Sequence, residues 1–245
     1  VSRIREVRSL APAEIDAMWT LFSRHYDDVT RETFERDLAR KQHVILLRAA
    51  SDPGGAMSRQ IVGFSTIEVD RRVVGGREVV SIFSGDTIVE RRYWGTRALH
   101  RAFFRFVMAL KLASPTAAVY WFLITKGYKT YLLLTRNFPE HWPRHDRPTP
   151  PWQQTILDEL ATRRFGDAYD ARRGVLCFAD SGHGRLRADV APIDAALACD
   201  PDVRFFVERN PGAPRGDELC CLGRVGVGLA MQFGRKQLAR ALEGA

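Results

Sequence analysis

Between Val79 and Lys129 the chain runs VVSIFSGDTIVERRYWGTRALHRAFFRFVMALKLASPTAAVYWFLITKGYK, two apolar strand-length segments separated by a basic segment of helical period. That order leaves little freedom of topology. A helix between two strands returns the second strand parallel to the first through a right-handed crossover. Both strand ends then sit beside a helix N-terminus with unpaired N–H groups, a seat for an anionic or thioester-bearing ligand.

The flanking sequence places this unit in a larger sheet. Arg3–Leu10 alternates apolar and charged residues as an opening strand does. Pro12 starts a helix whose buried face is Ile15, Met18, Trp19, Phe22 and Tyr26, and Thr30 caps a second helix, Arg31–Arg40, with Phe34 and Leu38 inward. His43–Arg48, Ile61–Asp70 and Val79–Glu90 are strands of a meander, joined by a loop over Ala49–Arg59 and a tight turn at Val73–Gly76. The basic helix covers Ala98–Lys111, with Thr96 as its N-cap and Leu99, Ala102, Phe103, Phe106, Val107 and Leu110 as its buried stripe. Ala117–Thr125 is a strand buried on both faces, and Tyr128–Arg136 a helix.

Asn137–Pro151 holds five of the twelve prolines and marks a boundary. The expected organisation is therefore a core over residues 1–136, a Pro-rich linker over 137–151 and a smaller α/β extension over 152–245 that completes the fold or an acceptor site. Within the extension we expect helices at Trp152–Phe165, around Val190–Ala198 and at Leu229–Leu242. Strands are expected at Gly174–Phe178, Val203–Val207 and Glu218–Leu222, with a Gly-rich turn at Asp180–Gly184.

Charge is concentrated. Arg91 to Arg147 contains eleven basic residues against two acids, Glu140 and Asp146, in a chain of formal net charge +8. One face of the protein thus favours an anionic partner. No apolar run is long enough for a membrane span and the first residues lack a signal-peptide core, so a cytoplasmic protein without a membrane role is expected. Cys177, Cys199, Cys220 and Cys221 lack metal-ligand or redox spacing and read as reduced core residues. His141 and His145 stand four apart among prolines with no third ligand, so no metal site is expected. No phosphate loop, catalytic-triad signature or calcium-binding loop occurs.

Ser84-Gly85-Asp86 interrupts an apolar strand. A Gly there marks a bulge or a close backbone approach, and Asp86 is either a base tuned by burial or a structural carboxylate paired with an Arg. Tyr128 and Tyr131 are either core residues or proton donors.

The element order over residues 3–136, with the stretch Val79–Arg101, resembles the GNAT superfamily of N-acyltransferases. The resemblance implies an α/β (α+β) fold with a mixed central sheet flanked by helices, and a cleft where the strands Val79–Glu90 and Ala117–Thr125 splay apart. It implies that a pantetheine arm lies in that cleft along Thr87, Ile88, Val89 and Lys126, and that an amine attacks its thioester directly. Backbone N–H groups near Ser84 then meet the oxyanion, Asp86 is the base, and Tyr128 or Tyr131 the acid. The family's pyrophosphate loop falls on Tyr93–His100, but Trp94, Arg97 and Leu99 bring bulk or charge where small residues are expected. A phosphopantetheine thioester borne on an acidic acyl carrier protein needs fewer phosphate contacts than acyl-CoA. Trp94, Gly95, Thr96 and Arg97 would meet its phosphate, and Arg91, Arg92, Arg97 and Arg101 the carrier. The rivals are an acyl-CoA donor, an aminoacyl-tRNA donor on the basic face, and a silent sensor. The acceptor is a small amine, and the protein a monomer or homodimer.

Overall fold

The computed structural model describes residues 1–27, 29–49, 60–178, 185–186 and 192–243, the pairs 185–186 and the segment 237–243 by backbone alone. The elements in chain order are β1 (Ser2–Glu6), α1 (Pro12–Phe22), β2 (Tyr26–Asp27), α2 (Arg31–Ala39), β3 (His43–Arg48), β4 (Ile61–Val74), β5 (Arg77–Val89), α3 (Ala98–Ala113), β6 (Ala118–Thr125), α4 (Tyr128–Asn137) and β7 (His141–Trp142). Then follow α5 (Pro151–Phe165), β8 (Tyr169–Asp170), β9 (Val175–Leu176), β10 (Arg185–Leu186), α6 (Ala195–Ala198), α7 (Pro201–Arg209), β11 (Glu218–Val225) and α8 (Val227–Glu243).

Nine strands form one mixed sheet in the order β1-β3-β4-β5-β6-β11-β9-β8, with β7 also on β11, while β2 and β10 pair separately. β5 and β6 are parallel, as a strand–helix–strand crossover requires, and the other pairs are antiparallel. The β4–β5 hairpin turns on Gly75 and Gly76, both at positive φ, the conformation a two-residue turn needs to match strand twist.

Alternating side chains divide the core between two faces. On one, Val80, Ile82, Trp121, Leu123 and Cys221 pack under Leu99, Ala102 and Val107 of α3 and under α4 and α7. On the other, Phe83, Phe122, Cys220 and Leu222 pack under Ile156, Leu157 and Leu160 of α5, while Leu46 and Phe64 pack under α1 and α2. β11 belongs to this shared core. It pairs with β6 over seven residues, from Leu219↔Thr125 to Val225↔Val119, and supplies side chains to both faces.

Local chemistry explains several boundaries. Thr30 Oγ1 accepts the N–H of Thr33 at 3.2 Å and starts α2. The opening strand stops at Glu6 because a 3-10 turn follows at Val7–Ser9. The segment Val203–Val207 is helical, not the expected strand. Asp200 accepts the N–H of Asp202, Pro201 takes the first helical position, and Val203 and Phe206, three apart, are the buried pair. A five-residue segment with four apolar residues fits either period, and the cap upstream decides it. The helix expected around Val190 is described only as the four-residue α6, and the turn at Asp180–Gly184 and nearly all of the Ala49–Arg59 loop lie outside the described residues. Cys220 and Cys221 are buried, Cys177 is half-buried and, contrary to the core expectation, Cys199 is exposed; all four are free thiols.

Since Leu222 is fully buried in the cluster under α5, L222A should cost about 2–5 kcal/mol. Denaturant unfolding followed by a probe in β3–β5 should shift with it. An unshifted transition for those strands would show that β11 is not integral to their core.

Candidate active site

The β5–β6 ladder runs from Val79↔Ala118 to Ser84↔Leu123 and ends there, although β5 continues to Val89 and β6 to Thr125. The cause lies on the other edge of β5. Between the Ser65↔Thr87 and Ile67↔Ser84 pairs, Thr66 alone faces Gly85 and Asp86, a bulge that bends β5 away from its partner. Gly85 is required: a Cβ there would lie 2.8 Å from Thr66 Oγ1 and 3.1 Å from Lys41 Cε. The last rung is held by Trp121 Nε1–H, which donates to Ser84 Oγ at 2.7 Å.

Beyond that rung the backbone of Gly85–Val89 makes no ladder bonds to β6, so a gap opens at the carboxyl ends of the only parallel pair among the described strands. α3 and α4 follow these two strands, and neither helix has a side-chain cap. Thr96, the expected cap of α3, instead donates its backbone N–H to Tyr93 at 3.1 Å, and Arg97 stands at the cap position. Two helix N-termini therefore face the region where the strands part, with their partial positive charge.

Four charged side chains gather at the bottom of the gap. Lys41 sits at the end of α2, Asp86 on the bulge, Lys126 just past β6, and Glu218 at the start of β11. Lys126 Nζ lies 3.5 Å from Glu218 Oε1 and 5.6 Å from the ring centroid of Tyr26. Lys41, with a side chain 5% exposed, lies 3.9 Å from Glu68 Oε2 and 4.9 Å from the Phe83 centroid. Burial pushes the Asp86 carboxyl up from its ordinary range, against the opposing pull of Lys41 and Lys126. Burial also raises Glu218, with Lys126 opposing and Asp86 adding to the rise. Tyr26 is raised by burial and by both carboxylates. Lys41 is lowered, first by burial and then by Arg164, with Asp86 and Glu68 holding it up. These are the conditions for a proton-transferring carboxylate.

The other anticipated residues are distributed differently. Ser84 is buried as the acceptor for Trp121, and Thr87 shares a 2.8 Å hydrogen bond with Ser65. Tyr128 donates its hydroxyl to Pro192 O, and Tyr131 donates to Pro143 O, each at 3.0 Å. Tyr131 is fully buried against Phe205 and Phe206. Thr87, Ile88 and Val89 belong to the unpaired stretch, Thr87 exposed and Ile88 buried in the cluster under α1 and α2. At its outer end Trp94 donates Nε1–H to Val89 O at 2.7 Å and stacks under Lys129 at 4.4 Å, with Arg91 5.8 Å away on the same ring. Arg92 pairs with Glu90 at 2.8 Å, whereas Arg97 and Arg101 are exposed and make no ion pair within 4.0 Å among the described residues. His141 and His145 go to separate partners, Phe138 O and Asp202.

Tyr26, Lys41 and Glu218 were not singled out from sequence. Tyr26 fits the buried face of a helix, and Lys41 stands between Arg40 and Gln42 as in any solvated turn. Glu218 carried the one usable signal, a carboxylate opening the apolar run ELCCL.

No family model and no curated protein matches the sequence. Among solved structures, Arabidopsis thaliana NAA60 in complex with a bisubstrate analogue is similar over 58% of this chain and 86% of its own, at 16% identity and a TM-score of 0.39. A probable N-acyltransferase from Enterococcus faecalis is similar over 76% of this chain and 45% of its own, at 13% identity and 0.39. A Trypanosoma brucei acetyltransferase is similar over 61% and 98%, at 16% identity and 0.36. At such TM-scores the likenesses decide neither fold nor chemistry, which rest on the strands and side chains described above.

Carboxyl-carbon titration by NMR should place Asp86 above the ordinary aspartate range. K41M, by removing the charge that opposes this rise, should move it higher still. An ordinary value in both proteins would show that the gap is solvated.

Proposed function

We propose that this protein is an N-acyltransferase of the GNAT type, moving an acyl group from a pantetheine thioester to an amine. The observation that carries the proposal is the broken β5–β6 ladder, which leaves backbone groups of Gly85–Val89 facing the gap with Asp86 at its floor. An amide-bearing pantetheine arm is long and thin enough to complete that edge by strand-like hydrogen bonds. The bulge aims backbone N–H groups at the thioester carbonyl, where an oxyanion develops.

In the proposed step the amine nitrogen attacks the carbonyl carbon, a C–N bond forms and the C–S bond breaks. The amine proton passes to Asp86, which burial makes a stronger base than an ordinary aspartate. Glu218, coupled to Asp86 and paired with Lys126, helps hold the charge that results. In this scheme Tyr26 relays the proton taken up by Asp86 to the departing thiolate, so that it ends protonated as it began. Burial and both carboxylates keep its hydroxyl protonated, whereas the hydroxyls of Tyr128 and Tyr131 are engaged by Pro192 and Pro143.

For the donor we favour a carrier-borne phosphopantetheine. Trp94 folds onto Val89, the place where a nucleotide would approach, with Arg91 and Lys129 on its ring and Arg97 and Arg101 exposed at the start of α3, positive charge suited to one phosphate and an acidic carrier surface. Acyl-CoA is the second reading, favoured by the uncapped N-terminus of α3.

D86N should lower kcat/KM by roughly 10²–10⁴-fold while circular dichroism stays that of the parent; unchanged turnover would remove Asp86 from the step. Because Asp86 must be ionised to accept a proton, activity should fall on the acid side at a pH above the ordinary aspartate range. In a side-by-side assay the acyl-pantetheinyl carrier should outperform the matching acyl-CoA. Equal or better turnover of acyl-CoA would contradict the carrier donor.

A further inference from the structure

On the face away from α3, a cavity of about 360 Å³ lies in the seam between the end of α2 and the C-terminal half of α5, over the middle of β4 and β5. Its polar wall is unusual for a packing defect. Arg40, Arg72, Arg163 and Arg164 line it against two carboxylates, Glu68 and Asp70, an excess of two positive charges. Phe83, Phe122 and Leu160 supply an apolar floor.

Two of these groups are incompletely satisfied. The Arg72 side chain is 10% exposed, and although its guanidinium reaches Asp70 and Glu159, its buried Nε has no hydrogen-bond partner. Glu68 accepts from Arg164 at 2.6 Å through one oxygen, while Oε2 is buried without a hydrogen bond and meets Lys41 Nζ at 3.9 Å. Buried donors and acceptors left open are costly, so the polar wall is not a fully closed set of ion pairs.

Buried Lys41 stands between the cavity and the bulge that carries Asp86. Thr66, Glu68 and Phe83 share a sheet face, and Lys41 bridges Glu68 to the bulge, lying 3.6 Å from where a Gly85 Cβ would stand. From Phe83 to Asp86 is three residues, about 10 Å along a strand. The donor's phosphate end, at the start of α3, is on the opposite face and cannot be what these arginines hold.

We infer that this cavity binds the acceptor, an extended primary amine carrying an anionic group, carboxylate or phosphate, about 10 Å from the reacting nitrogen. The anion sits among Arg72, Arg163 and Arg164, the apolar stem crosses Phe83, and the amine passes Lys41 to reach Asp86. Which end reacts rests on the acyl-transfer proposal; binding to the arginines does not.

Calorimetric titration of the full chain without any donor tests this with 8-aminooctanoate, 6-aminohexyl phosphate and octylamine. At least one anion-bearing amine should bind about tenfold more tightly than octylamine, as expected for a charge-assisted contact, and the tighter of the two identifies the anion. The advantage should be lost in R72Q and also in R163Q, whose exposed side chain can be replaced without disturbing the core. Octylamine binding as tightly as both, or an advantage that survives R163Q and R72Q, would overturn the assignment. Tight, arginine-dependent binding with no transfer from any thioester would uphold the cavity and defeat the acyltransferase proposal instead.

Discussion

The single rung between Ser84 and Leu123 governs the rest of the structure. Above it β5 and β6 are bonded as a parallel pair; below it the bulge opposite Thr66 turns β5 aside and no ladder bond follows. A bulge strains strand pairing, and here the strain is absorbed by Gly85, which leaves room for Thr66 and Lys41, and by the Trp121–Ser84 hydrogen bond that pins the last paired residue. Val89 O is taken by Trp94, and the rest of the stretch has no ladder bond to β6. That open edge, more than any side chain, is what the proposed thioester arm, with its own amides, would complete.

The electrostatics follow from the same geometry. Asp86 and Glu218 face Lys41 and Lys126, so the formal charges of the cluster balance, yet both carboxyl pKa values rise. Desolvation is the larger influence in each case, and the lysines offset only part of it. A balanced but poorly solvated cluster can take up a proton at small cost, which is what direct aminolysis requires. Lys41 has a further place in this arrangement, since it joins the cluster to Glu68 and thereby to the arginine-lined cavity.

Much of this was legible in the sequence where the physics is local. The parallel pair follows from the strand–helix–strand order of Val79–Lys129, and the Ser84-Gly85-Asp86 interruption signals a bulge or a close backbone approach, of which the bulge is found. The misread segment, Val203–Val207, is short enough that its apolar residues fit either period, and the Asp200-Pro201 cap upstream was the better signal. The tyrosines of α4 illustrate a different limit. Their spacing leaves each open as core residue or proton donor, but each hydroxyl is taken by a carbonyl from elsewhere in the chain, Pro192 and Pro143, whose proximity no spacing reveals. Lys41, Tyr26 and Glu218 share that limit, because they come together only once α2, β2 and β11 are placed around the end of β5.

The account depends on a pantetheine arm completing the open edge of β5, and amide hydrogen exchange measures that directly. Addition of a non-hydrolysable acyl-pantetheine, free or carrier-borne, should slow exchange at Gly85–Val89 while leaving the already paired Val79–Ser84 unchanged. Equal exchange at Gly85–Val89 with and without saturating acyl-pantetheine would contradict the proposal that this gap is a thioester cleft.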